Sequence, residues 1–252
     1  MLRPVDDLKS ALVLSCAFAL SAAATVPLLL PSLPAEARTL PMPLPVFCVL
    51  LAVQSAVVYG LLGFVGLRLA RDRGLEPAPH LTAIWSRQAE SPRWSRVALA
   101  FVVGMGCGVV LVGVVAMIQR FLPTTLPSTL HPPGIVPALA ASTAGSFGEE
   151  ILFRLFALSV LLRLLPPGRT GAAVAVGVSA LAFAAAHTPA MIFLFGGLQG
   201  VPLLAWVWVI ALNGLLGIAL GLIFLRWGIV CAILAHFGTD VLWHAASQLL
   251  SG

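Results

Sequence analysis

Three short stretches place ionisable side chains inside apolar sequence. Glu149, Glu150 and Arg154 lie in STAGSFGEEILFRLFALSVLL (142–162), His187 in FAAAHTP (183–189), and His236 and Asp240 in HFGTD (236–240). A charge at the centre of a bilayer costs about 2.5–3.5 kcal/mol on insertion scales, so such groups face a bundle interior or a wet cavity and mark function by default. A carboxylate beside an imidazole can activate a water, and a second imidazole can steady an oxyanion. Converging in one bundle, these residues suit a hydrolytic site.

Spacing refines the reading. Glu150 and Arg154 are four apart, on one helix face, and can pair. Glu149 lies about 100° round the helix, so the same arginine does not neutralise it. One carboxylate is committed to structure and its neighbour is left for chemistry. His236 and Asp240 share a face, with His244 one turn further on, and Thr188-Pro189 ends the preceding helix near His187. Each feature also has a plainer explanation. A lone intramembrane histidine often serves a helix–helix hydrogen bond, Glu150–Arg154 can be architecture, and His244 fits an interfacial or packing residue. His80 and His131 fall in loops and carry no assigned role.

The elements that must position these residues are membrane helices. The chain has 252 residues, 60% hydrophobic and 9% charged, against roughly 25% charged in a soluble domain. Apolar runs near 11–31, 45–70, 97–119, 134–162, 171–188, 202–226 and 229–250 reach the length of about 20 residues that a span needs. They lack the alternation of barrel strands. The expected fold is all-α, a single polytopic bundle of seven spans. An eighth would require AMIFLFGG (190–197), which is short enough to be re-entrant or interfacial instead. Glycine-dense GMGCGVVLVGVV (104–115) and NGLLGIALG (213–221) predict close helix contact. The net charge of +5 is not a nucleic-acid signal, because six arginines cluster between Arg68 and Arg96. By the positive-inside rule that 71–96 loop and the N-terminus are cytoplasmic. The four cysteines sit in apolar runs without paired spacing and read as small buried residues. Thirteen arginines against one lysine hint at a GC-rich bacterial genome, and for such a source the apolar spans predict an inner-membrane location.

EEILFR (149–154), FAAAH (183–187) and HFGTD (236–240) fit the patterns EExxxR, FxxxH and HxxxN/D, in that order and on separate helices. The chain thereby resembles the CPBP family of intramembrane endopeptidases, the CAAX prenyl proteases and bacteriocin-processing enzymes also called Abi. The resemblance covers about 134–250; the spans within 11–119 are less diagnostic. It implies cleavage of a membrane-embedded or prenylated protein within the bilayer. Glu149 and His187 would activate water, His236 and Asp240 would stabilise the oxyanion, and Arg154 would hold Glu150. Aspartate replaces the amide here, and an ionised aspartate repels an oxyanion; it could donate only if protonated, or else orient His236 or bind a metal. No cofactor is certain, and zinc remains open beside a metal-free Glu/His route. A non-catalytic immunity factor or scaffold on the same fold is the alternative, followed by a proton-coupled transporter. One geometric demand stands out. From the inner ends of their spans, Glu149 and His187 lie about 21–24 Å in and His236 only about 11 Å, so convergence needs shifted or tilted helices.

Overall fold

The computed structural model describes residues 4–33, 38–85, 93–118 and 134–251, and all its regular structure is helical. The Pro-rich 123–134 loop apart from Gly134, His131, and the middle of the 71–96 loop lie outside the described residues. Long helices α1 (Pro4–Leu29), α2 (Leu44–Asp72) and α4 (Trp94–Ile118) precede the motif region, with short α3 (Pro79–Trp85) between α2 and α4. The 134–162 run is helical but not uniform. It forms α5 (Ile135–Glu149), a π-helical segment (Glu150–Leu158) and α6 (Ser159–Leu164). Then come α7 (Arg169–Ala186), α8 (Thr188–Leu194), α9 (Leu203–Trp227) and α10 (Ile229–Ser251).

Among the described residues five helical stretches are long and apolar enough to cross a membrane: Pro4–Ser32, Leu44–Asp72, Trp94–Met117, Arg169–Phe193 and Leu203–Trp227. α10 contributes a shorter apolar helix, Ile229–Ala245. α8 has seven residues, about 10 Å of rise, too little to cross alone. The turn that follows it passes through Gly196 and Gly197, both with positive φ.

The π segment sits at the centre, touched by α2, α7, α9 and α10. Widening the turn disturbs the ordinary i→i−4 ladder, and the neighbours accommodate the altered backbone. Ser179 on α7 donates its hydroxyl to the Phe153 carbonyl at 2.7 Å. Gly66 on α2 lies so close to the Leu155 carbonyl that a Cβ would collide with it. Ile151, Leu155 and Leu158 of the segment are fully buried with Leu67, Ala175, Ile229 and Ala232.

The expected close contacts occur. Gly104 lies against the backbone of Ala235 and Gly108 against Thr239 and Leu242, which brings α4 onto α10. Gly217 and Gly221 meet Ala180 and Val176, which joins α9 to α7. The Thr239 hydroxyl reinforces the first contact, donating to the Gly104 carbonyl at 2.9 Å.

The start of α10 is anchored across the fold. Gly228 (φ 84°) makes the whole connection from α9, and the Ile229 N–H donates to the Pro77 carbonyl at 2.7 Å. Pro77, Ala78 and Ile229 are buried, so α10 begins packed against the 77–79 segment. His187 and His236 both come within 4 Å of Glu149 Oε2, although His236 follows the start of its helix by fewer turns than His187 does. Near the predicted cytoplasmic end, buried Asp7 on α1 pairs with Arg71 at 2.6 Å. Arg71 also reaches Glu76 at 2.6 Å and Thr82 at 3.0 Å, tying α1, α2 and α3 together.

The packing yields a prediction. Gly104→Ala drives a Cβ into the Ala235 backbone, beside His236, and overpacking of this kind costs about 1–3 kcal/mol. Gly106→Ala meets nothing within 4 Å and is expected to be neutral or slightly stabilising. Thermal unfolding of the two variants in detergent checks the contrast.

Candidate active site

The structure brings Glu149, Glu150, Arg154, His187, His236 and Asp240 together in one cluster. The two adjacent glutamates differ sharply in environment. The Glu150 side chain is 0% exposed and Arg154 1%, with Arg154 Nη1 at 3.3 Å from Glu150 Oε1. The Glu149 side chain is 34% exposed and borders a cavity of about 360 Å³.

Arg154 is enclosed on its other sides too. Its guanidinium carbon stands 4.1 Å above the Phe183 ring centroid, a cation–π arrangement. Nη2 approaches the Gly217 carbonyl at 3.5 Å. Phe183, itself fully buried, also packs edge-on against Phe153, His187 and His236, with centroids 5.5, 4.8 and 5.7 Å away. One aromatic side chain thus contacts the arginine and both histidines, which explains why a phenylalanine belongs four residues before His187.

Hydrogen bonds orient the two imidazoles. The His187 N–H turns to the Ala184 carbonyl at 3.2 Å, and the Phe183 carbonyl accepts instead from His187 Nδ1 at 2.8 Å. A carbonyl only accepts, so Nδ1 carries a proton and Nε2 faces the cavity. His236 Nδ1 donates to Glu150 Oε1 at 2.9 Å, which again leaves Nε2 for the site. This Glu150–His236 bond was not anticipated from sequence. Glu150 grips Arg154 along its own helix and His236 from α10 with one oxygen.

Both Nε2 atoms approach the second glutamate. Glu149 Oε2 lies 3.7 Å from His187 Nε2 and 3.9 Å from His236 Nε2. His236 Nε2 is also 3.7 Å from Asp240 Oδ1. These spacings exceed a direct hydrogen bond and suit one bridging water. Glu149 Oε2 is buried and has no hydrogen-bond partner among the described residues. As for zinc, no three His, Cys, Asp or Glu side chains among the described residues are arranged to hold a metal ion.

The cavity wall includes groups that sequence reasoning passed over. Asn213 and Trp208 come from α9 and Trp243 from α10, the two indoles 6.4 Å apart. His244, expected at an interface or in packing, also lines the cavity. A usable signal for Asn213 was present, since it is the only asparagine in the chain and lies in a strongly apolar run.

No curated protein and no solved structure matches the chain. Residues 131–242 match the model of a family described as type II CAAX prenyl endopeptidase Rce1-like, the CAAX protease family that the three motifs resemble.

Proposed function

We propose that this protein is an intramembrane endopeptidase that hydrolyses a peptide bond of a membrane-embedded or prenylated protein through Glu149, His187, His236 and Asp240. The observation that carries the reading is the position of Glu149 Oε2. It lies within 4 Å of two imidazole Nε2 atoms whose Nδ1 atoms are both engaged elsewhere.

In this reading a water held by Glu149 Oε2 and His187 Nε2 attacks the scissile carbonyl carbon, and Glu149 takes its proton. With Nδ1 donating to Glu150, His236 offers an N–H at Nε2 to the developing oxyanion as the imidazolium, in which both ring nitrogens donate, and preorganised donors act most strongly in a dry site. Asp240 orients His236 and offsets its charge from the side opposite Glu150, so no amide is needed at position 240. Collapse of the tetrahedral intermediate breaks the C–N bond, and the proton on Glu149 passes to the leaving amine. The products are a carboxylic acid and an amine, which exchange the remaining water proton and leave as carboxylate and ammonium. Glu150 and Arg154 are positioning residues that hold His236 and the π segment.

The apolar helices and the family fit an integral membrane protein. We further count the helix from α5 to α6 and α10 as spans, which makes seven. The N-terminus and the 71–96 loop then face the cytoplasm, in a bacterial inner membrane.

Purified protein in lipid nanodiscs is expected to cleave a farnesylated CAAX peptide, with mass spectrometry as the readout. Glu149→Gln is expected to lower kcat by about 10²–10⁴-fold, in keeping with loss of a general base. Absence of cleavage by the wild-type protein, or full activity of Glu149→Gln, contradicts the proposal; the former favours a scaffold or immunity role. Because every step uses protein groups, cleavage is expected to persist after dialysis against a chelator. Activity that vanishes and returns with added zinc would overturn the metal-free route.

A further inference from the structure

We propose that Asn213 binds a backbone peptide group of the substrate beside the scissile bond, an inference that rests on the protease reading above. Asn213 lies on α9, four residues before Gly217, the residue whose carbonyl meets Arg154. Positions four apart share a helix face, so Asn213 stands one turn from the buried ion pair and on its side of α9. It lines the same cavity as Glu149, His187, His236 and Asp240.

Its amide is half-committed. Nδ2 donates to the Val209 carbonyl at 2.9 Å, which fixes the orientation of the side chain and the assignment of its N and O. A primary amide has two N–H donors and one acceptor oxygen. The second N–H and Oδ1 have no hydrogen-bond partner among the described residues and belong to a side chain on the cavity wall. Asn213 is partly buried, its amide is open to the cavity, and α9 is otherwise almost wholly apolar. One N–H and one C=O, side by side, complement the C=O and N–H of an extended peptide. Asp240, Glu149 and Glu150 are carboxylates, which accept hydrogen bonds when ionised. Asn213 therefore supplies a neutral donor and an acceptor side by side, which neither the carboxylates nor the donor-only indole N–H groups of Trp208 and Trp243 do.

The test uses the farnesylated CAAX peptide in nanodiscs with wild-type protein and Asn213→Leu. A second peptide carries an ester oxygen in place of one amide N–H flanking the scissile bond, made in turn at each flanking position. Loss of a binding contact made equally in ground and transition states raises KM and spares kcat. Asn213→Leu is expected to raise KM about tenfold with kcat within twofold. One ester position is expected to cost wild-type protein a similar factor and to cost Asn213→Leu nothing more. The ester series on wild-type protein stands even if the variant folds poorly. An unchanged KM in Asn213→Leu, a loss confined to kcat, or ester penalties equal in both proteins would each overturn the proposal. A wild-type protein that cleaves neither peptide fails the protease reading itself and removes the basis for this one.

Discussion

The arrangement depends on burying Arg154. A guanidinium in the middle of an apolar bundle cannot stay there unpaired, and removing the partner of a buried charge typically costs about 3–5 kcal/mol. Glu150 supplies the opposite charge from the same helix, the Phe183 face supplies a cation–π contact, and the Gly217 carbonyl lies at the edge. These partners come from the π segment, α7 and α9. His236 adds α10 by its bond to Glu150. Neutralising one arginine thus draws together the π segment, α7, α9 and α10, and the π segment continues directly from α5, which ends at Glu149.

The division between the adjacent glutamates follows from this. Glu149 closes α5 and Glu150 opens the π segment. One carboxylate turns into the protein and is consumed by structure, while the other turns to the cavity. The π segment needs its own support, and Ser179 and Gly66 provide it from two sides. Small residues around the site have the same purpose. Gly104 and Gly217 allow α4 and α9 to come close enough for the histidines and the arginine to meet their partners.

Much of this was legible in the chain. The four-residue spacing of Glu150 and Arg154 anticipated their pair, the glycine-dense runs anticipated close packing, and Thr188-Pro189 anticipated the break at His187. Other features were hidden, for physical reasons. A π turn carries no composition signal, so the 134–162 run read as a uniform helix. The Glu150–His236 bond joins residues 86 apart, and no spacing rule on a single helix can reveal it. The start of α10 is anchored by the Ile229 N–H to the Pro77 carbonyl across the fold, a tertiary contact that counting residues from the ends of apolar runs does not include. Asn213 was visible as an oddity, but its place on the cavity wall required the packing of α9 against α10.

The most direct test of the account compares unfolding of Glu149→Gln and Glu150→Gln by calorimetry in the same detergent. Glu150→Gln leaves Arg154 buried without its counter-charge and should lose roughly 3–5 kcal/mol, whereas Glu149→Gln, at the cavity, should unfold like the wild type. Equal stability of the two variants, or a greater loss in Glu149→Gln, would contradict the assignment of Glu150 to structure and Glu149 to chemistry.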